Sequence, residues 1–329
     1  MCIAIATTAH PDYPLILLNN RDEYLHRPTA SADWWPEPDS HVLGGRDMHR
    51  PEHGTWLGVT KQGRIAVLTN FREEGVGASV IQGARSRGGI VNAFLKTPPG
   101  SHELPEEWAR RLVEEGGTKG VGGFSLMFGR LNRRWVDGGV NEMDEKRGRK
   151  GLAIVSNRTP DVQGLIWLGE TRGETHALSN SHYGDRSWPK TVDGEGRTAS
   201  AISASVEAKE TEDQLLERLF DVLSVNTLPM QREGEDWEIY LNQLRNSIFI
   251  PPVGRDELLD KAPDEVAAAR ARIVLNATSG IYGTQKQSVI LIDKQGKLTF
   301  VERTLIDESG NAVPKKESER KFAFNIEGW

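Results

Sequence analysis

Short apolar runs dominate both ends of this chain, and helical spacings occupy its middle. Cys2 to Ala6 and Leu15 to Asn19 are apolar runs separated by His10-Pro11-Asp12-Tyr13-Pro14. The two prolines forbid a continued ladder, so the pattern predicts a β-hairpin. Asn19-Asn20-Arg21-Asp22-Glu23 follows the second run directly. Antiparallel pairing would bring these polar side chains close to Cys2, where the first strand begins. Further on, Gly44-Gly45-Arg46-Asp47 reads as a turn. Trp56 to Val59 and Ile65 to Asn70 flank Lys61-Gln62-Gly63 as a second hairpin, with Asn70 at its end.

From Ser86 the apolar positions Ile90, Val91, Phe94 and Leu95 recur at helical spacing until Pro98-Pro99-Gly100 stops them. Pro105 to Glu115 predicts another helix, and Gly116 to Gly123 a glycine-rich loop that enters a strand at Phe124 to Phe128. Strands are expected at Leu152 to Ser156, Leu165 to Leu168 and His176 to Ser179, the last ending at Asn180. Thr211-Glu212-Asp213-Gln214 has the form of a capping box, and Leu215, Leu216, Leu219, Phe220 and Leu223 follow at helical spacing. Ile273 to Ala277, Ser288 to Asp293 and Lys297 to Glu302 read as a closing antiparallel meander. Strand-rich ends around a few helices lack strict strand-helix alternation, so the expected class is α+β. We read residues 1–329 as one domain, with the charged stretches Arg134 to Lys150, Asp193 to Arg197 and Gly254 to Arg272 as surface insertions.

Composition narrows the function classes. The 329 residues, 37% of them hydrophobic, suffice for a full core. A net charge of −6 argues against nucleic acid, whose backbone is bound by clustered Lys and Arg. One cysteine excludes an internal disulfide framework and a zinc site built from several thiolates, which makes a reducing, cytoplasmic setting the default expectation. No run approaches the ~18 apolar residues of a membrane span. Met1 to Asn20 carries Asp12 and no basic residue, unlike a signal peptide. The loop from Gly116 to Gly123 lacks the Lys-Ser or Lys-Thr of a phosphate-binding loop. His49 and His53 have a ligand-like spacing, but Pro51 between them predicts a loop, so neither cofactor nor metal is expected. Trp34, Trp35 and Pro36 are candidates for an apolar mouth.

Cys2 is the candidate nucleophile. Removal of Met1 would make it the amino terminus, and its thiol and free amine together supply nucleophile and base. Around it stand, in order, Asn20-Arg21-Asp22-Glu23, Gly44-Gly45-Arg46-Asp47, Gly54-Thr55-Trp56-Leu57-Gly58-Val59, Leu68-Thr69-Asn70-Phe71-Arg72 and Ser86-Arg87-Gly88. Leu178-Ser179-Asn180 with Ser187-Trp188-Pro189-Lys190, and Tyr282-Gly283-Thr284 with Gln287-Ser288-Val289, complete the series. Together these motifs closely resemble the transport and Golgi organisation protein 2 family, also called NRDE after the tetrapeptide at Asn20.

That resemblance implies an N-terminal nucleophile hydrolase fold, a four-layer α-β-β-α sandwich of two antiparallel sheets between helices. It places the nucleophile at Cys2, assigns Arg21 and Asp22 to the Arg and Asp that follow the second strand, and gives Asn70 and Asn180 to the oxyanion site. The α-amine would take the thiol proton, Arg21 favour the thiolate, Asp22 orient an amine, and the two amides donate to the oxyanion. Arg21 and Asp22 are adjacent, and strand neighbours face opposite ways, so the two need not share a pocket. Gln285 stands where the family commonly has an Arg, with Lys286 the nearest cation.

Three roles stay open at this point. One is a Cys2 hydrolase of amide or acyl-thioester bonds. Another is a non-catalytic binder of an acyl-CoA-like or haem-like ligand. The third is a secretory-pathway scaffold. The family's association with Golgi organisation, secretory traffic and lipid or haem handling also allows a Golgi-associated or mitochondrial location.

Overall fold

The leading apolar runs form the antiparallel strands β1 (Ile3–Thr7) and β2 (Leu15–Tyr24), which pair from Ile3 opposite Asn20 to Thr7 opposite Ile16. β2 is longer than its apolar run and carries the polar tetrapeptide inside the sheet. The computed structural model describes residues 2–71, 86–118, 120–137, 151–230, 242–254, 280–307 and 311–329.

β3 (Thr29–Trp34), β4 (Val42–Asp47), β5 (Leu57–Thr60), β6 (Arg64–Asn70), β7 (Phe124–Arg130), β8 (Leu152–Ser156) and β9 (Ile166–Leu168) follow one another across a sheet in chain order. β10 (Thr175–Leu178) returns to pair with β1. β11 (Tyr282–Ile292), β12 (Lys297–Thr304) and β13 (Glu319–Asn325) extend the other side, giving a first sheet ordered β10-β1-β2-β11-β12-β13. The strand pairings in both sheets are antiparallel. The helices are α1 (Arg87–Leu95), α2 (Pro105–Glu114), a single turn α3 (Arg134–Asp137), α4 (Pro189–Ala208), α5 (Glu212–Leu223) and a second single turn α6 (Lys315–Ser318).

Strand parity sorts the apolar side chains into layers. Ala4, Ala6, Leu15 and Leu17 of the first sheet meet Leu43, Val59, Val67 and Met127 of the second, closing an apolar layer between the sheets. Ile3, Ile5, Ile16 and Leu18 point the other way, onto Ile202 of α4 and Leu215, Leu219 and Leu223 of α5. On the far side Ala66, Leu126 and Phe128 pack against Val91 and Phe94 of α1 and Trp108 of α2. Phe94, Trp108 and Phe128 form a triangle of edge-on rings with centroids 4.9–5.1 Å apart. The result is an α-β-β-α sandwich, as the motif resemblance implied. Each fully buried aliphatic or aromatic side chain contributes about 1.5–3 kcal/mol relative to exposure. Among the described residues, no helix is long and apolar enough to cross a membrane.

The capping box at Thr211 forms as expected. Thr211 Oγ1 accepts from the Gln214 N–H at 3.4 Å, and Gln214 Oε1 accepts from the Thr211 N–H at 2.9 Å.

Two expectations are corrected. Gly44-Gly45-Arg46-Asp47 is no turn; it is the body of β4, and its glycines make room for neighbours. A Cβ on Gly45 would lie 2.6 Å from the Trp56 ring, and one on Gly44 2.5 Å from the Leu57 carbonyl oxygen. Asp193 to Arg197 is no insertion but lies inside α4, where Gly194 presses on β1 closely enough that a Cβ would reach Ile5 at 3.0 Å and Ile3 at 3.2 Å. β13 was not expected. The proposed strand at Ile273 to Ala277 lies outside the described residues, as do residues 138–150 and 255–272 of the charged stretches.

Candidate active site

Cys2 sits just before β1, at the end of the sandwich where β1, β2 and β10 meet. Its thiol donates to the main-chain oxygen of Asp22 at 3.6 Å, and Ser179, directly after β10, donates from Oγ to the Cys2 carbonyl at 2.7 Å. The hairpin therefore does bring Cys2 to the polar half of β2.

A β-bulge positions Arg21 and Asp22. β11 pairs Thr284 with Asp22 but Lys286 with Arg21, so Gln285 is the extra residue. The Thr284 hydroxyl donates to Asp22 Oδ1 at 2.7 Å and itself accepts from the Ile250 N–H at 2.9 Å. Arg21 faces the opposite way, with its guanidinium 4.5 Å from the Trp56 ring centroid and donating to Gln285 Oε1. Gln285 also donates to the Leu25 carbonyl at 3.3 Å. Gln285 thus anchors Arg21 in the layer between the sheets. Arg21 and Asp22 fall on opposite faces of one strand, as their adjacency dictates.

Asn70 and Asn180 do come together. The Asn180 side-chain amide donates to the Asn70 carbonyl, and Asn180 follows the residue that holds Cys2. Asn70 Oδ1 and Asn180 Oδ1 are buried and accept no hydrogen bond among the described residues. Unsatisfied buried acceptors are costly in a purely structural setting and common where a ligand completes the bonding. A cavity of about 60 Å³ lined by Ser179, Ser181, Tyr183, Trp188 and Thr191 lies nearby in the chain, and Cys2, Asn70 and Asn180 are not among its lining residues.

The side chain that sequence reasoning passed over is Lys190. It is fully buried in the first turn of α4, with Nζ 3.9 Å from Asp22 Oδ2. A signal was present. Pro189 marks the start of the helix, and a lysine directly after it stands at the positive end of the helix dipole, where acidic residues are favoured. Such a placement calls for a nearby carboxylate. Tyr282 was also passed over; its hydroxyl donates to the Asp22 carbonyl at 3.2 Å.

Arg87 borders the site from α1. Gly54 and Gly88 touch closely enough that a Cβ on Gly54 would lie 2.8 Å from Gly88 Cα, which seats the start of α1 against the loop before β5. Asn92 fixes the same junction by accepting from the Thr55 N–H at 3.1 Å and donating to the Glu52 carbonyl at 3.1 Å. Arg87 interacts electrostatically with Glu23, Arg27, Arg50 and Cys2.

Burial is the largest influence on both central groups. It pushes the Cys2 thiol above its ordinary range; Asp22 and Glu23 push it further, and the charge of the chain's amino terminus opposes them. Burial likewise pulls Lys190 below the usual lysine range, against the attraction of Asp22 and Cys2. Among the described residues, no group of three or more His, Cys, Asp or Glu side chains could hold a metal ion.

A model of the family described as Transport and Golgi organisation 2 matches residues 1–307. The chain belongs to the Transport and Golgi organisation 2 family. An uncharacterized protein of Saccharomyces cerevisiae is 25% identical to it, over 99% of this chain and all of its own length. The human Transport and Golgi organization protein 2 homolog is 27% identical, over 90% of this chain and 88% of that protein. A solved structure of a Caenorhabditis elegans N-acylethanolamine-hydrolyzing acid amidase ortholog aligns at a TM-score of 0.38 and 11% identity, over 71% of this chain and 88% of its own. That likeness is too distant to argue from. Family membership agrees with the run of motifs from Asn20 to Val289, and the structure joins several of them by contacts: Ser179 binds the Cys2 carbonyl, the Cys2 thiol binds the Asp22 main chain, and the Asp22 carboxylate meets Thr284 and Lys190.

Proposed function

We propose that this Transport and Golgi organisation 2 family chain is a cysteine hydrolase of linear amide or acyl-thioester bonds, built as one domain over residues 1–329, with Cys2 as the nucleophile once Met1 is removed. The observation that carries the proposal is the chain of contacts that joins Cys2 to Asp22 and Lys190 on one side and, through Ser179, to Asn180 and Asn70 on the other.

The chemistry runs in two halves. The α-amine of Cys2 accepts the thiol proton, and the sulfur bonds to the substrate carbonyl carbon while the C=O electron pair moves onto oxygen. The role proposed for Asn70 and Asn180 is donation to that oxygen from their side-chain amides, the Asn180 amide using the N–H it does not give to the Asn70 carbonyl. Collapse of the tetrahedral intermediate breaks the bond to the leaving amine or thiol, which takes the proton held on the α-ammonium. Water then attacks the Cys2 acyl thioester, the acid leaves, and the thiol is restored. Asp22 orients the α-amine. Arg21, bound to Gln285 and Trp56, supports the strand from the opposite face.

A second reading rests on one observation. With Met1 attached, burial and the carboxylates of Asp22 and Glu23 keep the Cys2 thiol protonated and poorly nucleophilic. That state suits a non-catalytic carrier of an acyl-CoA-like or haem-like ligand. Either activity would serve a transport role at the cytoplasmic face of the secretory pathway, in keeping with the name of the human relative. Hydrolysis of a panel of acyl thioesters and N-acyl amides separates the two. The hydrolase reading predicts turnover that Cys2→Ala abolishes. Ligand binding that survives Cys2→Ala, with no turnover by either protein, would select the carrier.

A further inference from the structure

We propose that Lys190 sets the charge of the Cys2 site: its ammonium offsets Asp22, one of the two carboxylates that oppose ionisation of the neighbouring thiol, and so brings that ionisation to a lower pH than the carboxylates alone would allow. The inference rests on the hydrolase reading of Cys2 but concerns a residue that the mechanism above does not need to touch substrate.

Geometry carries the argument. Lys190 has no exposed surface, lies in the first turn of α4, and places Nζ 3.9 Å from Asp22 Oδ2. A lysine there sits at the unfavourable end of the helix dipole and loses its hydration, so its placement has to be balanced by the carboxylate it faces. Asp22 is held rigidly for that purpose. Thr284 binds Oδ1 at 2.7 Å, and the Asp22 main-chain oxygen accepts both from Cys2 Sγ at 3.6 Å and from the Tyr282 hydroxyl at 3.2 Å.

Among the described residues, the charged and titratable groups around the thiol include Asp22 and Glu23 from β2, Arg87 from α1, Lys190 from α4 and the Tyr282 hydroxyl from β11, together with the chain's amino terminus. Asp22 and Glu23 both oppose ionisation of the thiol. A fixed cation on Asp22 cancels the nearer of the two. It also leaves the α-amine of a mature Cys2 less firmly held as an ammonium, and therefore available as a base. Lys190 is a positioning residue in this account.

The test uses the full chain with Met1 removed. Cys2 is its only cysteine, so alkylation by iodoacetamide, followed by intact mass across a pH series, reports one thiol. The wild-type midpoint is the reference against which the variants are read. Lys190→Met should move that midpoint up by about one pH unit, a tenfold slower reaction at neutral pH. Asp22→Asn, which keeps the shape and the Thr284 contact, should move it down. The double variant, with both charges gone, should return close to wild type. An unmoved midpoint in folded Lys190→Met, or single variants that shift in the same direction, would overturn the role of Lys190. Should Lys190→Met fail to fold, Asp22→Asn and the double variant decide: no downward shift in the first, or a double variant that matches it, overturns the proposal. Opposite shifts in the two single variants, with no acyl transfer from an acyl thioester to Cys2 of wild type, would leave Lys190 in its role and remove the hydrolase reading instead.

Discussion

Leu15–Leu18 and Asn19–Asp22 are consecutive segments of β2 and are equally buried, at 0–1% and 0–4% exposure, yet they are held in place by different physics. The first segment alternates between the layer separating the sheets and the layer under α4 and α5, and its neighbours are almost entirely apolar. In the second, the polar side chains have specific partners. Asn19 donates to the Ile3 carbonyl at 2.9 Å, Asn20 to the carbonyls of Leu223 at 2.8 Å and Ile248 at 2.9 Å, Arg21 to Gln285, and Asp22 accepts from Thr284. The apolar half tolerates exchange of one hydrocarbon for another at modest cost. The polar half does not, because each lost partner leaves a desolvated group behind. Burying four polar residues in a row is an expensive way to extend a strand. It is understandable where the strand must also hold a thiol, a carboxylate and a lysine in fixed relation.

The sharpest way to break this contrast is Asp22→Ala, which strands Lys190 in the interior without the carboxylate it faces. A loss of about 3–5 kcal/mol is expected in urea unfolding. The charge-free Lys190→Met/Asp22→Asn pair should recover much of that stability; a double variant as unstable as Asp22→Ala would mean the pair is not the source of the cost. In the apolar half, Leu17→Ala should cost about 2–5 kcal/mol through the cavity it leaves. Its Cys2 alkylation rate at fixed pH should stay at the wild-type value. A rate that fell along with stability would show that the two halves are not separable. Asn20→Ala removes two hydrogen bonds to buried carbonyls, and about 1–3 kcal/mol should be lost by the same unfolding measurement.

The smallest effect belongs to the loop before β2. Burial lowers the pKa of His10 below its ordinary 6.5. As pH falls through 6.5, the unfolded chain takes up a proton that the folded His10 resists, so stability should fall in that window and not return at lower pH. His10→Gln should flatten that part of the stability–pH curve. An unchanged curve would assign the dependence to other groups.

Much of this arrangement was legible in the sequence. The proline-bounded hairpin put Cys2 beside the polar half of β2, and period-2 parity separated Arg21 from Asp22. The capping box located α5. What escaped had definite physical causes. Glycines in β4 and α4 look like breaks along the chain, but Gly45 and Gly194 are there to admit Trp56 and the β1 isoleucines. That need exists only once the layers are stacked. The bulge at Gln285 depends on pairing between strands far apart in the chain, so no local pattern announces it. Lys190 was visible as part of a motif, but its partner Asp22 lies on another element and becomes evident only in the fold.

The central claim is that a mature Cys2 attacks acyl groups. Intact-mass analysis, with peptide mapping, of the purified chain before and after brief exposure to a short-chain acyl thioester tests it most directly. The account predicts a chain that begins at Cys2 and gains one acyl group on that residue, with the adduct absent from Cys2→Ala. Retained Met1, or a processed chain that takes up no acyl group at Cys2, would contradict it.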